Sequence, residues 1–529
     1  MGTYLNPGND GFTRIILSEY IDKTGMIELI NRTIGTTRNL TCISRPRRFG
    51  KSFAAQMLCA YYDKTCDSSE LFSGLKVSSS PTYKTHINRY DVIYLDMTNL
   101  LGKAKPEKLI QYIQENVAEE ILSAYPDVKK GNAFDQTLIN TVLHTGNKFI
   151  MIIDEWDAPI RETPEIESEY LKFLRMLFKG SGTTSRIFAA AYMTGILPIK
   201  KDGSQSAISD FQEYSMLDPQ DFAEYVGFTE EEVRNECAKL GKSFESMKRW
   251  YDGYTAGNCR AVYNPYSVMQ SLRTGKYRSY WRKTSATETL MTYIDMDLDG
   301  LQDDVAKLAA GDSIFVDTDS YQNDVETFTC KDDVLTLLIH LGYLTYAEES
   351  DSDDENGELT GIARIPNEEV RSEFRKILRR TKHSSLVNLI RKSDQLLKDT
   401  LEGNEEAVAK AVTAVHDTEY APTFYNNEQS LRYVVKLAYL SCIDQYAKVE
   451  ELPSGHGIAD IAFVPKRRSP LPAMVIELKW NKSAEGAIRQ IKEGGYPDVL
   501  THYGGKVILV GVNYDVTSKA HTCKIEFID

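Results

Sequence analysis

The sequence predicts an α/β protein of more than one domain, with a parallel sheet in its N-terminal part, a mostly helical middle and a second compact α/β unit at its C-terminal end. Three observations predict it. The chain has 529 residues, more than one hydrophobic core usually supports, so two or three domains are expected. In the N-terminal part, apolar runs of strand length alternate with segments of helical periodicity, the pattern of a parallel sheet covered on both faces. Near the end the order becomes helix, strands, helix, strand.

The N-terminal strands are expected at Leu40–Ser44, Val92–Asp96, Phe149–Ile153 and Ile187–Tyr192, with helices such as Pro106–Tyr125 and Glu167–Phe178 between them. This first domain spans residues 1–217. Residues 218–383 read as a helical lid or connector, with helices at Pro219–Val226, Thr229–Leu240 and Asp332–Leu341. Within it the acidic run Glu348–Glu358 reads as a solvated loop at a hairpin tip. Residues 384–529 form the last domain. A polar helical stretch, Ser384–Val415, leads to a helix over Leu431–Tyr446, strands at Ile458–Val464 and Ala473–Leu478, a helix over Ala484–Glu493, and a strand at Lys506–Val512.

A net charge of −14 excludes a protein coated in DNA-binding surface, because phosphate neutralisation needs clustered Lys and Arg; local basic patches stay compatible with nucleic acid. Eight cysteines lie scattered without a C-x-x-C pair, as reduced, mostly buried thiols would. Neither a leader-like N-terminus nor a spanning apolar segment is visible, so the expectation is a cytoplasmic protein with no membrane partner.

After the first strand comes Ser44-Arg45-Pro46-Arg47-Arg48-Phe49-Gly50-Lys51-Ser52, followed by a helical run. A Gly-Lys-Ser at a strand-to-helix turn suits phosphate binding, because N–H groups at the helix N-terminus face the anion and Lys51 adds a cation. Ser52 would offer a hydroxyl to Mg²⁺. The usual pattern has a Gly where this chain has Arg45. Phe149–Ile153 leads into Asp154 and Glu155; Asp154 is expected to hold Mg²⁺ through water and Glu155 to polarise the attacking water. Thr194, ending the next strand, is a candidate γ-phosphate sensor. The candidate ATP site is therefore Arg47, Arg48, Phe49, Gly50, Lys51, Ser52, Asp154 and Thr194, with Glu155 catalytic. Arg45, Arg47 and Arg48 are candidates for contacts to phosphates or to a neighbouring subunit.

In the last domain, Ile458-Ala459-Asp460-Ile461 and Val475-Ile476-Glu477-Leu478-Lys479 place two acids and a lysine on neighbouring strands. Phosphodiester hydrolysis needs a metal held by acids beside a cation that orients water or steadies developing charge. Strand alternation puts Glu477 and Lys479 on one face. Glu428 is a further metal-side carboxylate, giving Glu428, Asp460 and Glu477 as candidate ligands of Mg²⁺ or Mn²⁺ and Lys479 as the catalytic cation. Gln490 and Tyr496 follow, and Lys466-Arg467-Arg468 is a candidate phosphate-backbone contact.

At these residues the chain resembles a prokaryotic family that joins an AAA-ATPase-like domain to a PD-(D/E)xK nuclease-superfamily domain. The resemblance runs through Tyr20-Ile21-Asp22-Lys23-Thr24-Gly25, the Ser44–Ser52 loop, Ile153-Asp154-Glu155-Trp156-Asp157-Ala158-Pro159, Trp250-Tyr251-Asp252-Gly253-Tyr254, Tyr263-Asn264-Pro265, Leu341-Gly342-Tyr343-Leu344-Thr345 and Ile365-Pro366-Asn367-Glu368-Glu369-Val370. It implies that Arg45 is a family feature, that the first domain is a P-loop ATPase, and that the last is an α/β restriction-endonuclease-like fold. Ala459 stands where the superfamily name has a Pro, and Trp156 where a Tyr is expected. The expected function is ATP hydrolysis coupled to metal-dependent cleavage of nucleic acid, DNA in the first instance, with a homo-oligomer formed through the ATPase domain. The alternative is a nucleotide-controlled switch whose nuclease-like domain grips nucleic acid or a protein without cutting.

Overall fold

The computed structural model describes residues 2–179, 181–199, 201–202, 205–206, 208, 210–257, 259–281, 294, 298–319, 321, 328–348, 360–378, 384–419, 427–454, 457–466, 471–495, 500 and 506–528. Its contacts divide the chain into two units: Met1–Thr284 with Phe315–Ser372, and Ser285–Ile314 with Glu373–Asp529. Of the expected connector, residues 218–284 and 315–372 fall in the first unit and the remainder in the second.

The first unit is built on five parallel strands: β1 Leu40–Ser44, β2 Asp91–Asp96, β3 Phe149–Asp154, β4 Phe188–Gly195 and β5 Gln212–Tyr214. Their spatial order is β2-β3-β4-β1-β5. Every residue of β1, β3 and β4 is buried, which is why these strands are continuous apolar runs rather than alternating ones. β5 is short, polar and at the sheet edge, and no sequence signal marks it. The order inserts β4 between β1 and β3, so the C-terminal end of β4 lies between the loop after β1 and the acids after β3.

The helix α1, Lys51–Tyr62, follows β1 directly, and nine of its twelve residues are buried. Helix α2, Ala158–Glu162, follows β3. The expected helices of the connector are present as Glu230–Lys239 and Lys331–His340, while Pro219–Val226 holds only a 3₁₀ turn at Gln220–Phe222. Short strands add to them: Phe228–Thr229, Cys259–Tyr263 and Tyr254–Ala256 form one small antiparallel sheet, and Thr345–Glu348 pairs antiparallel with Thr360–Arg364. The latter two strands flank the acidic run, which beyond Glu348 lies outside the described residues.

The second unit carries a mixed sheet in sequential order: β6 Tyr446–Ser454, β7 Gly457–Pro465, β8 Ala473–Trp480, β9 Val507–Asp515 and β10 Ala520–Ile528. Only β8 and β9 are parallel. That pair requires a crossover, and the helix Ala484–Glu493 is part of it, its N-terminus capped by the Ser483 hydroxyl. The core between helix and sheet comprises Ala459, Ala462, Val475, Ile488, Ile491, Val507 and Leu509. The expected helix over Leu431–Tyr446 is shorter: Glu428–Ala438, then a 3₁₀ turn Leu440–Asp444, with Tyr446 already opening β6. β6 and β10 are edge strands rich in polar residues, and Pro453 is tolerated because β6 has only one neighbour.

Candidate functional site

In the first unit β1 delivers the chain into the loop 45–50, and Gly50 is the N-cap of α1 at φ 91°, a left-handed conformation in which glycine carries no Cβ penalty. Lys51 is 5% exposed, and its ammonium donates to the carbonyl oxygens of Arg45 and Pro46, both at 2.9 Å. Burial pushes Lys51 down to about 8, against the pull of Glu155, Asp157 and Asp154. A cation turned onto its own loop and surrounded by acids is poised to exchange those carbonyls for phosphate oxygens.

Asp154, ending β3, is buried. Its carboxylate accepts the hydroxyls of Thr194 and Ser52; burial raises its pKa, and these bonds and Lys51 oppose the rise. Thr194 is fully buried, and the Glu155 backbone N–H donates to its hydroxyl at 3.2 Å. Thr194 therefore orients the two acids from behind. Glu155 has φ 53°, a left-handed backbone uncommon for a residue with a side chain and a mark of functional sites. Its Oε2 accepts from the Thr98 hydroxyl and from Arg161 Nη2, each at 3.2 Å.

Above these groups lies a cavity of about 690 Å³, lined by Arg47, Arg48, Phe49, Gly50, Lys51, Ser52 and Glu155, and on its other walls by residues including Tyr20, Phe53, Phe228, Tyr266 and Gln270. The volume suits a nucleotide-sized ligand, and the wall mixes aromatic rings such as Tyr20, Phe228 and Tyr266 with charged side chains. Arg48, with φ 73°, donates to the Tyr280 carbonyl at 2.7 Å and lies 4.6 Å over the Tyr266 ring. Phe49 is buried edge-on against Tyr254. Their backbones shape the loop while their side chains are committed to packing.

Arg45 is not a phosphate ligand in this arrangement. It is 1% exposed, and its guanidinium donates to the carbonyls of Ser44, Tyr214 and Ser215, tying the loop to the end of β5. Burial lowers it to about 10. The position that usually needs glycine here carries a buried strut instead, a role that a pattern of residue types does not reveal.

In the second unit, Ile461 pairs with Ile476, which sets Asp460 opposite Glu477 one step further along the antiparallel ladder. Asp460 Oδ2 accepts the Leu478 N–H at 2.9 Å, and Lys479 Nζ donates to Glu477 Oε1 at 3.0 Å. All three side chains are buried. Burial and the Asp460 charge push Glu477 up to about 7, against the pull of Lys479. Glu477 Oε2 is buried with no hydrogen-bond partner among the described residues. Two facing carboxylates, one with an orphaned buried oxygen, fit a divalent cation.

The expected convergence of Glu428 with this pair is not seen. Among the described residues no three His, Cys, Asp or Glu side chains come together to hold a metal. Glu428 opens its helix, and Arg432, one turn further along the same face, pairs with Asp460. Sequence reasoning missed Arg432, although its spacing from Glu428 was the available signal. Gln490 lies on the crossover helix; Tyr496, Arg467 and Arg468 lie outside the described residues.

Two sites of this composition define the class of protein as one that pairs a nucleotide-binding P-loop unit with a carboxylate-lysine unit, and comparison with known proteins agrees. Residues 8–204 match the family model described as "Predicted AAA-ATPase", and residues 426–523 match the PD-(D/E)XK nuclease superfamily. The chain thus carries an AAA-ATPase-like domain followed by a PD-(D/E)XK nuclease-superfamily domain. It is 23% identical over 522 residues to an uncharacterized protein in the vnfD 5′ region of Azotobacter chroococcum, covering 95% of this chain and 94% of that one. Among solved structures, the Walker-type ATPase PABY2304 of Pyrococcus abyssi matches at 13% identity and TM-score 0.33, over 68% of this chain and 97% of that one. The Aeropyrum pernix ORC2 protein matches at 12% and 0.32, over 69% and 97%. At these scores the superpositions add nothing to the strand order itself. No helix among the described residues is long and apolar enough to cross a membrane.

Proposed function

We propose that this chain hydrolyses ATP in its first unit and cleaves nucleic acid, DNA first, in its second, with Mg²⁺ at both sites and Mn²⁺ as a substitute at the second. The observation that carries the ATP reading is the seating of Gly50-Lys51-Ser52 against Asp154 and Glu155 at the mouth of a nucleotide-sized cavity. Lys51 and the loop N–H groups bind the phosphates, Ser52 and Asp154 hold the metal with them, and Glu155 orients the attacking water. In the second unit Asp460 and Glu477 would hold the metal, while Lys479, bonded to Glu477, favours its ionised form and would face the phosphate. A divalent cation there supplies charge stabilisation at the phosphoryl oxygens and a more acidic water.

A cytoplasmic location, a homo-oligomer formed through the ATPase domain and the three-part plan of 1–217, 218–383 and 384–529 belong to the same proposal. The second reading, a nucleotide-controlled switch that binds without cutting, is favoured by one observation: Arg432 occupies Asp460 where a third carboxylate was expected.

One set of variants separates these readings. Lys51→Ala should abolish ATP binding with the fold retained, and Glu155→Gln should bind ATP and hydrolyse it slowly. Asp460→Ala and Lys479→Ala should both lose plasmid nicking while ATP hydrolysis persists, and only Asp460→Ala should weaken Mn²⁺ binding in a calorimetric titration. Absence of nicking by the wild-type chain would move the conclusion to the switch, nicking that survives Asp460→Ala would remove Asp460 from the cleavage site, and unchanged ATP affinity in Lys51→Ala would remove the P-loop assignment.

A further inference from the structure

Arg161 lies beside the candidate ATP site, and its contacts have no part in the function proposed above. Its Nε donates to Asp157 Oδ2 at 2.8 Å, and its Nη2 to Glu155 Oε2 at 3.2 Å. Asp157 is 1% exposed, and the same Oδ2 accepts the backbone N–H groups of Ile196 and Leu197 at 3.1 and 3.0 Å. The guanidinium is therefore anchored to the chain just beyond β4, the strand that lies beside β3. It also keeps its charge: Asp157 and Glu155 outweigh burial and hold Arg161 above its ordinary value.

Glu155 differs from its buried neighbours. Its side chain keeps 28% exposure and lines the cavity, and among the described residues Arg161 and Thr98 are the side chains that donate to its carboxylate. A long acid that must orient one water is less effective if it samples several rotamers. Arginine's planar fork holds donors in fixed directions toward two carboxylates, whereas lysine's ammonium is a point charge on a flexible stem. Arg161 does not line the cavity, and its hydrogen bond toward it is the one to Glu155.

We propose that Arg161 is a positioning residue for Glu155: Asp157 fixes the guanidinium, and the guanidinium fixes the carboxylate facing the nucleotide. The inference rests on the assignment of Glu155 as the water-orienting acid. Steady-state ATP hydrolysis and ATP affinity of the full chain test it in R161A, R161K, E155Q and the double variant E155Q/R161A. R161A should lower kcat by about tenfold or more while ATP affinity holds. R161K, with one ammonium for two acids, should restore only part of the loss. The double variant should be no slower than E155Q alone, because the residue through which Arg161 acts is already gone.

R161A leaves Asp157 buried without its partner; if that variant does not fold, R161K decides by the same split between kcat and affinity. An arginine with a merely structural role would lower folded protein and affinity together and would slow E155Q further. Wild-type kcat in R161A, or a further loss in the double variant, overturns the inference while E155Q stays slow. Wild-type turnover in E155Q instead removes the Glu155 assignment itself, a distinct outcome.

Discussion

Acidification should destabilise the first unit through His340. This imidazole ends the helix Lys331–His340, is 2% exposed, and stacks at a tilt 5.4 Å from the Tyr321 ring. Its Nδ1 is buried without a hydrogen-bond partner among the described residues. Burial, and then the charge of Arg45, push it from 6.5 down to about 3. The folded value lies below the unfolded one, so the unfolded chain takes up the extra proton in the window between pH 6.5 and about 3. Stability from this group is complete above pH 6.5 and is lost as the pH falls through that window. At pH 5 the loss is about 2 kcal/mol, at roughly 1.4 kcal/mol for each pH unit below 6.5. His340→Leu removes the titration, and its own packing cost is common to both pH values. Urea unfolding of wild type and variant at pH 7 and pH 5 isolates the difference, since all other groups cancel. The variant should lose about 2 kcal/mol less than wild type on acidification. Equal losses would show that His340 is charged or solvated in the folded protein and refute the argument.

Arg45→Gly, which restores the usual loop pattern, should weaken the protein. It leaves the Ser44, Tyr214 and Ser215 carbonyls unpartnered at a cost of about 3 kcal/mol after the relief of a buried charge; thermal unfolding and ATP affinity should both fall, and an unchanged melting temperature would contradict the strut. Arg432→Gln removes the cation paired with Asp460 and should tighten Mn²⁺ binding by about tenfold in calorimetry. Weaker binding would mean that Arg432 supports the site rather than competing for it.

Strands were legible where both faces are buried. β1, β3 and β4 had to be continuous apolar runs, and their ends located Lys51, Asp154 and Glu155. β5, β6 and β10 were not legible, because they share their burial with solvent and keep polar residues such as Glu213, Lys448 and Lys524, whereas the edge strand β2 is mostly buried and apolar and was legible. The Tyr446 boundary failed for the same reason: helix and half-buried strand both tolerate its mixture of residues.

Local pattern by itself determined that a phosphate loop precedes an acid pair, and that two carboxylates and a lysine lie on neighbouring strands near the end. Each depends on residue type and on spacing of a few positions, and the period of a strand or helix converts such spacing directly into geometry. Tertiary structure alone decided the rest. The order β2-β3-β4-β1-β5 set Thr194 behind Asp154; burial turned Arg45 inward; Arg161 reached Glu155, and Arg432 reached Asp460 across 28 positions. Arg161 lies within six positions of Glu155 and of Asp157; the other partners are chosen by which elements pack together and which buried charges must be neutralised there, and neither is encoded in a window of sequence around the residues themselves.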